Sequence, residues 1–126
     1  MKEIIKKFRL KYAGVVINAP KDLEKEFVRL GFKTALDKKS FYNNTVVFVN
    51  NKKEFMEFLT NELRNIEHDS VLWFAYLKRG SGISTDINRD ILRETAEKFS
   101  ITTVTAISIN ETWSALRFRP IEKVGK

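Results

Sequence analysis

The stretch covering residues 70–89 constrains this chain most. It begins Ser-Val-Leu-Trp-Phe-Ala-Tyr-Leu, an apolar run long enough for a strand and too short to span a membrane. A strand that is apolar on both faces must be covered on both, which predicts a place in the middle of a parallel sheet. Lys-Arg-Gly-Ser-Gly-Ile-Ser-Thr follows, polar and glycine-bearing, and Asp-Ile-Asn-Arg then opens a helix. Strand, loop and helix make half of a βαβ unit. Its loop lies at the carboxyl end of the strand, where open α/β sheets place ligands.

The rest of the chain alternates in the same way. Gly14 releases the chain into a β-branched run at 15–18, the first expected strand. Ala19-Pro20 leads into a first helix, with Asp22, Glu24 and Glu26 near its N-terminus, Leu23, Phe27 and Leu30 as a buried stripe, and Gly31 as the stop. Residues 32–36 are expected as the second strand and 45–49 as the third. A second helix over 52–66 carries Phe55, Met56, Leu59, Leu63 and Ile66 at helical spacing. The run from 70 is the fourth strand. A third helix starts with Thr85 or Asp86 as cap and shows Ile87, Ile91, Leu92, Ala96 and Phe99 on one face. Residues 101–109 form the fifth strand, Asn110-Glu111 a two-residue turn, and 112–118 an antiparallel sixth strand ended by Pro120. Residues 3–10 make a short amphipathic piece with Ile4, Ile5 and Phe8 on one side. The expected fold is therefore a single α/β domain over 1–126, a three-layer α/β/α sandwich whose mostly parallel six-stranded sheet closes with an antiparallel hairpin strand.

A chain of 126 residues buries roughly two-thirds of the surface that its unfolded form exposes, enough for a core. It has no cysteine, hence no disulfide frame and no thiolate metal site, and no metal-ligand spacing is recognisable. No leader-like or membrane-spanning run is visible, so a cytoplasmic location is expected and no membrane partner. The formal net charge of +7 is concentrated at the ends. Lys2, Lys6, Lys7, Arg9 and Lys11 oppose Glu3 alone, and Arg117, Arg119, Lys123 and Lys126 oppose Glu122. This excess could attract nucleic acid, or it could keep the two ends soluble. No basic motif interleaved with aromatics supports the first alternative.

If the fourth and fifth strands are parallel, the Asn110-Glu111 turn shares an edge with the loop after the fourth strand. Candidate binding residues for a small anionic ligand or a protein partner gather there. Gly80, Ser81, Gly82, Ser84 and Thr85 could cradle an anion through backbone N–H groups, with charge from Lys78, Arg79 and Arg89. The alternative is a connector whose hydroxyls cap a helix; the spacing is not that of a P-loop. Trp113, beside Glu111, could stack a ring, or it could be a core aromatic. Asp86, Asn88 and Asp90 suit capping rather than chemistry. His68, the only histidine, is expected at the opposite edge, away from Ser114, so no Ser-His-Asp arrangement forms and no catalytic residue is assigned.

The segments Leu72-Trp73-Phe74-Ala75-Tyr76, Gly80-Ser81-Gly82-Ile83-Ser84-Thr85-Asp86-Ile87-Asn88-Arg89-Asp90 and Glu111-Thr112-Trp113-Ser114-Ala115-Leu116-Arg117-Phe118, together with Asn18-Ala19-Pro20, resemble a family of small bacterial proteins of unknown function. That family is similar to a shortened S-adenosylmethionine-dependent methyltransferase. The resemblance implies a Rossmann-like architecture with a closing hairpin and carries over no activity. True methyltransferases place a glycine-rich loop after the first strand, whereas this chain reads Val-Ile-Asn-Ala-Pro-Lys. Asn18 and Asp37 stand where cofactor-binding residues would fall. Asp37 lies about 20 residues past the first turn, the interval expected of a ribose-binding acid, and also where a solvated loop aspartate is common. No cofactor is expected. A non-catalytic binding module is the reading that follows, with a methyltransferase-like enzyme and a nucleic-acid accessory protein as alternatives.

Overall fold

Residues 72–77 are all buried, so the apolar run is covered on both faces. The computed structural model describes residues 14–35, 42–78, 82 and 85–124; the expected piece at 3–10 lies outside them. The strands are β1 (Val15–Ile17), β2 (Tyr42–Phe48), β3 (Ile66–Leu77), β4 (Ile101–Ser108) and β5 (Trp113–Pro120). The helices are α1 (Lys21–Arg29), α2 (Lys52–Asn61) and α3 (Arg89–Glu97). The sheet runs in the order β1-β2-β3-β5-β4. β1 and β2, and β2 and β3, pair in parallel, while β5 pairs antiparallel with both β3 and β4.

Alternation along β3 divides the core in two. Leu72, Phe74 and Tyr76 face α2 and α3, against Phe55, Phe58, Leu59, Leu92 and Ala96. Trp73, Ala75 and Leu77 face the other way, against Leu23 and Phe27 of α1 and against Phe48 and Trp113. Each helix turns a stripe spaced three or four residues apart to its side of the sheet. α1 ends in a Schellman arrangement: the Gly31 N–H donates to the Val28 carbonyl at 2.9 Å and the Phe32 N–H to the Phe27 carbonyl at 3.0 Å, with Gly31 at φ 93°. Gly14 answers a close approach of strands, since a Cβ there would overlap the backbone carbonyl of Asn44.

The expected six-stranded, mostly parallel, three-layer sandwich is corrected to a five-stranded mixed sheet. The strand expected at 32–36 shrinks to one bridge, Val15 to Lys33. Phe32 is buried, but Lys33, Thr34 and Ala35 are exposed, so nothing draws that segment into a ladder. β5 lies between β3 and β4, which makes half of the pairings antiparallel. Two helices cover one face and a single helix lies on the other. On β4 Val104, Thr105 and Ala106 remain exposed, so the third layer is incomplete among the described residues. The second helix ends at Asn61, a 3-10 turn covers Leu63–Asn65, and β3 starts at Ile66, ahead of the apolar run. α3 is capped by Asn88, whose Oδ1 accepts from the Ile91 N–H at 2.9 Å. Among the described residues no helix is long and apolar enough to cross a membrane.

Phe74 holds the larger half-core together. It is 0% exposed and meets Phe55, Phe58 and Phe118 edge-on, at centroid distances of 4.8, 5.4 and 5.3 Å. Phe74→Ala should cost about 3–5 kcal/mol of unfolding free energy in urea denaturation. A loss below about 1 kcal/mol would mean that this ring is not central.

Candidate functional site

The carboxyl ends of β1, β2 and β3 and the tip of the β4–β5 hairpin meet along one rim. The Lys78 N–H donates to the Thr112 carbonyl at 2.8 Å, and Lys78 Nζ donates to Ser108 Oγ at 2.6 Å. Just past the end of β2, the Asn50 carbonyl accepts from Thr85 Oγ1 at 2.7 Å. Gly82 is at φ 86° with open space around its Cα, and Arg89 and Glu111 are exposed. Arg79, Gly80, Ser81, Ser84 and Asp37 lie outside the described residues.

The polar groups of this rim mostly satisfy one another. Asn51 Oδ1 accepts from the Glu54 N–H at 2.9 Å, capping α2. The Glu54 carboxylate accepts from the Asn50 N–H at 2.8 Å, from Asn50 Nδ2 at 3.1 Å and from Asn18 Nδ2 at 3.2 Å. Asn18, at φ 62°, also donates through Nδ2 to the Phe48 carbonyl at 3.1 Å. Asp86 serves α2 rather than its own helix: its Oδ1 accepts from the Lys52 N–H at 2.7 Å. Two carboxylates thus hold the positive end of α2, where an anion would otherwise sit. A groove of about 460 Å³ beside Asn18 carries Glu54, Glu57 and Glu62 on its wall, the wrong sign for a phosphate. Trp113 is 7% exposed, with its ring 5.1 Å from that of Phe48 and perpendicular to it, inside the core. Asn110 secures the hairpin through its side chain, Oδ1 accepting from the Thr112 and Trp113 N–H groups at 2.8 Å each.

A larger cavity, of about 740 Å³, opens at the other end of the sheet. It lies over the first residues of β3, between the segments that follow α2 and α3. Leu63, Ile66, Leu72, Phe99, Ile101 and Phe118 give it apolar walls, and Arg64, His68, Asp69, Ser70 and Glu122 supply polar groups. A bulge in β3 makes the space. Tyr42 pairs with Ile66 and Asn44 with Val71, so four residues of β3 stand against one of β2. Asp69, at φ 55°, is in the left-handed region within that bulge. Ser70 Oγ is buried and has no hydrogen-bond partner among the described residues.

Arg119 fixes the bulge to β5. Its Nε donates to Asp69 Oδ1 at 2.8 Å and its Nη2 to Asp69 Oδ2 at 3.0 Å, a two-pronged contact. The Arg119 hydrogen bond lowers the Asp69 pKa below its usual value against the opposing effect of burial, and the charges of Arg119, Lys123 and His68 lower it further. The same hydrogen bond raises the Arg119 pKa. His68 Nε2 and Glu122 Oε1 stand 2.8 Å apart, both largely exposed, and link β3 to the 3-10 turn at Ile121–Lys123. The sequence gives one signal of this place, the polar quartet Glu-His-Asp-Ser just ahead of the apolar run. That quartet has no period, and only the pairing of Tyr42 with Ile66 shows that the strand continues through it.

Asp69→Asn isolates the charge, because asparagine tolerates the left-handed backbone. A depressed folded pKa adds stability above the unfolded carboxylate's ordinary value near 4, and that stability is lost as pH falls through the folded value. The wild type should therefore exceed the variant in stability above about pH 5, and the two should converge on acidification. Thermal melts across that range check this; a gap that stays constant with pH would show that the carboxylate charge is not the cause.

Compared with known proteins, the chain matches no family model and no curated protein.

Proposed function

We propose that this protein is a binding module and that its ligand is a small molecule with an apolar body and a polar end, held in the cavity over the start of β3. The cavity carries this reading. Its volume of about 740 Å³ suits a small organic ligand. Its walls are mainly apolar, and a few polar groups line it. Such a pairing of apolar enclosure with sparse polar groups is how proteins hold small molecules in one orientation. The opposite rim has the usual position of an α/β ligand site, but its α2 terminus is already held by Asn51, Asp86 and Glu54. The positioned groups offer recognition and orientation, which is a binder's chemistry.

A thermal-shift screen of the whole chain against a library of small aromatic and aliphatic acids, amides and amines tests this. Compounds that bind the native state at ten times their Kd should raise stability by about 1.4 kcal/mol, or about 5 °C in Tm for a chain of this size. Leu63→Trp, which fills the cavity from a partly buried position, should weaken the hits at least about tenfold while leaving the fold intact. Hits unaffected by Leu63→Trp, or none at all, would contradict the assignment.

A further inference from the structure

β4 forms one margin of the sheet, and among the described residues it is paired on one side only. Its sequence, Ile-Thr-Thr-Val-Thr-Ala-Ile-Ser, has no charge and no proline, in a chain where 31% of residues are charged. Natural edge strands are blunted with lysine, proline, brevity or a covering segment. The opposite margin is protected in this way. β1 has three residues, and Lys33 lies along it, its carbonyl accepting from the Val16 N–H at 2.8 Å and its N–H donating to the Gly14 carbonyl at 2.9 Å. β4 has eight residues and only a bulge between Thr103 and Thr105, where Val104 is 38% exposed.

We propose that β4 is a docking edge and that its occupant is β4 of a second copy of this chain, running antiparallel about a two-fold axis normal to the sheet. Two five-stranded sheets then join into one continuous sheet. Such an axis requires residues that face each other across it to point to the same side. The ladder with β5 sets those sides. Ile101, Thr103, Ala106 and Ser108 oppose Pro120, Phe118, Leu116 and Ser114, on the side of α2 and α3, whereas Thr102 and Ile107 oppose Arg119 and Ala115 on the other. An unbroken strand of eight residues would put end residues such as Ile101 and Ser108 on opposite sides. The bulge at Val104 restores the match. With the axis between Val104 and Thr105, Thr103 faces Ala106 of the second copy, Thr102 faces Ile107 and Ile101 faces Ser108, each pair on one side.

Charge agrees with the same register. Lys78 Nζ reaches β4 at Ser108, and Glu97 Oε2 accepts from Thr102 Oγ1 at 2.7 Å, near the other end. The pairing sets the ammonium end of each copy beside the carboxylate end of the other, twice by symmetry. No charge on β4 itself opposes the approach.

Sedimentation equilibrium of the whole chain from about 1 to 100 μM tests the proposal. The expected result is a species of twice 14.7 kDa that dissociates on dilution. Val104→Lys and Thr105→Lys replace exposed side chains, so each should keep the circular dichroism spectrum and Tm of the wild type while raising the dimer Kd at least about tenfold. If one of them fails to fold, the other decides. A wild type that stays monomeric over the whole range overturns the proposal, as does a dimer that survives the lysine in a folded variant.

Discussion

The burial of β3 on both faces is the constraint on which the molecule depends. Residues 72–77 leave no side of the strand for water, so an element must stand over each face and a strand on each flank. β2 and β5 are the flanking strands, α2 and α3 cover one face, and α1 covers the other. β5 sits at the centre rather than the margin because Ala115, Leu116 and Phe118 are buried with β3. That insertion leaves β4 outermost.

The candidate cavity follows from where the same strand stops being apolar. Ahead of Leu72 the polar quartet cannot join the core, and it bulges away from β2 around Asp69. The bulge leaves apolar side chains from the turns after α2 and α3, such as Leu63 and Phe99, standing over open space. Arg119 holds Asp69 from the adjacent strand. A polar edge and an apolar floor result, whereas the other end of the sheet is built differently. There the carboxylates of Glu54 and Asp86 and the amides of Asn18, Asn50 and Asn51 lock α2 to the ends of β1 and β2.

The sequence was most legible where period and burial coincide. The strand running on from residue 70, the stripe positions Leu23 and Phe27 of α1 and Ile87, Leu92 and Ala96 at α3, and the antiparallel pairing of the last two strands match the expectation, whereas Leu30 is exposed and β3 has one antiparallel neighbour instead of two parallel ones. The convergence of Lys78 with the hairpin tip follows from strand direction alone. The strand at 32–36 misled because Phe32 sits beside a helix end, where one aromatic reads as the start of a ladder. Residues 42–44 and 67–69 fall outside the expected strands because Asn, Glu, His and Asp carry no strand signal, and Ile66 reads as the end of the second helix; only their partners make them strands. In the sequence Asp86 reads as serving the helix that follows it, yet its carboxylate accepts from the first residue of α2. The cavity is invisible in the sequence for a similar reason, since its walls come from three stretches far apart in the chain, 63–72, 99–101 and 118–122.

Backbone amide NMR during titration with a compound that stabilises the chain tests the central claim most directly. The expected result is a set of shifts confined to the start of β3 and its surroundings, at Leu63, His68, Ser70, Ser100 and Glu122. Shifts gathered instead at Lys78, Thr85, Arg89 and Glu111, with the β3 bulge silent, would contradict it.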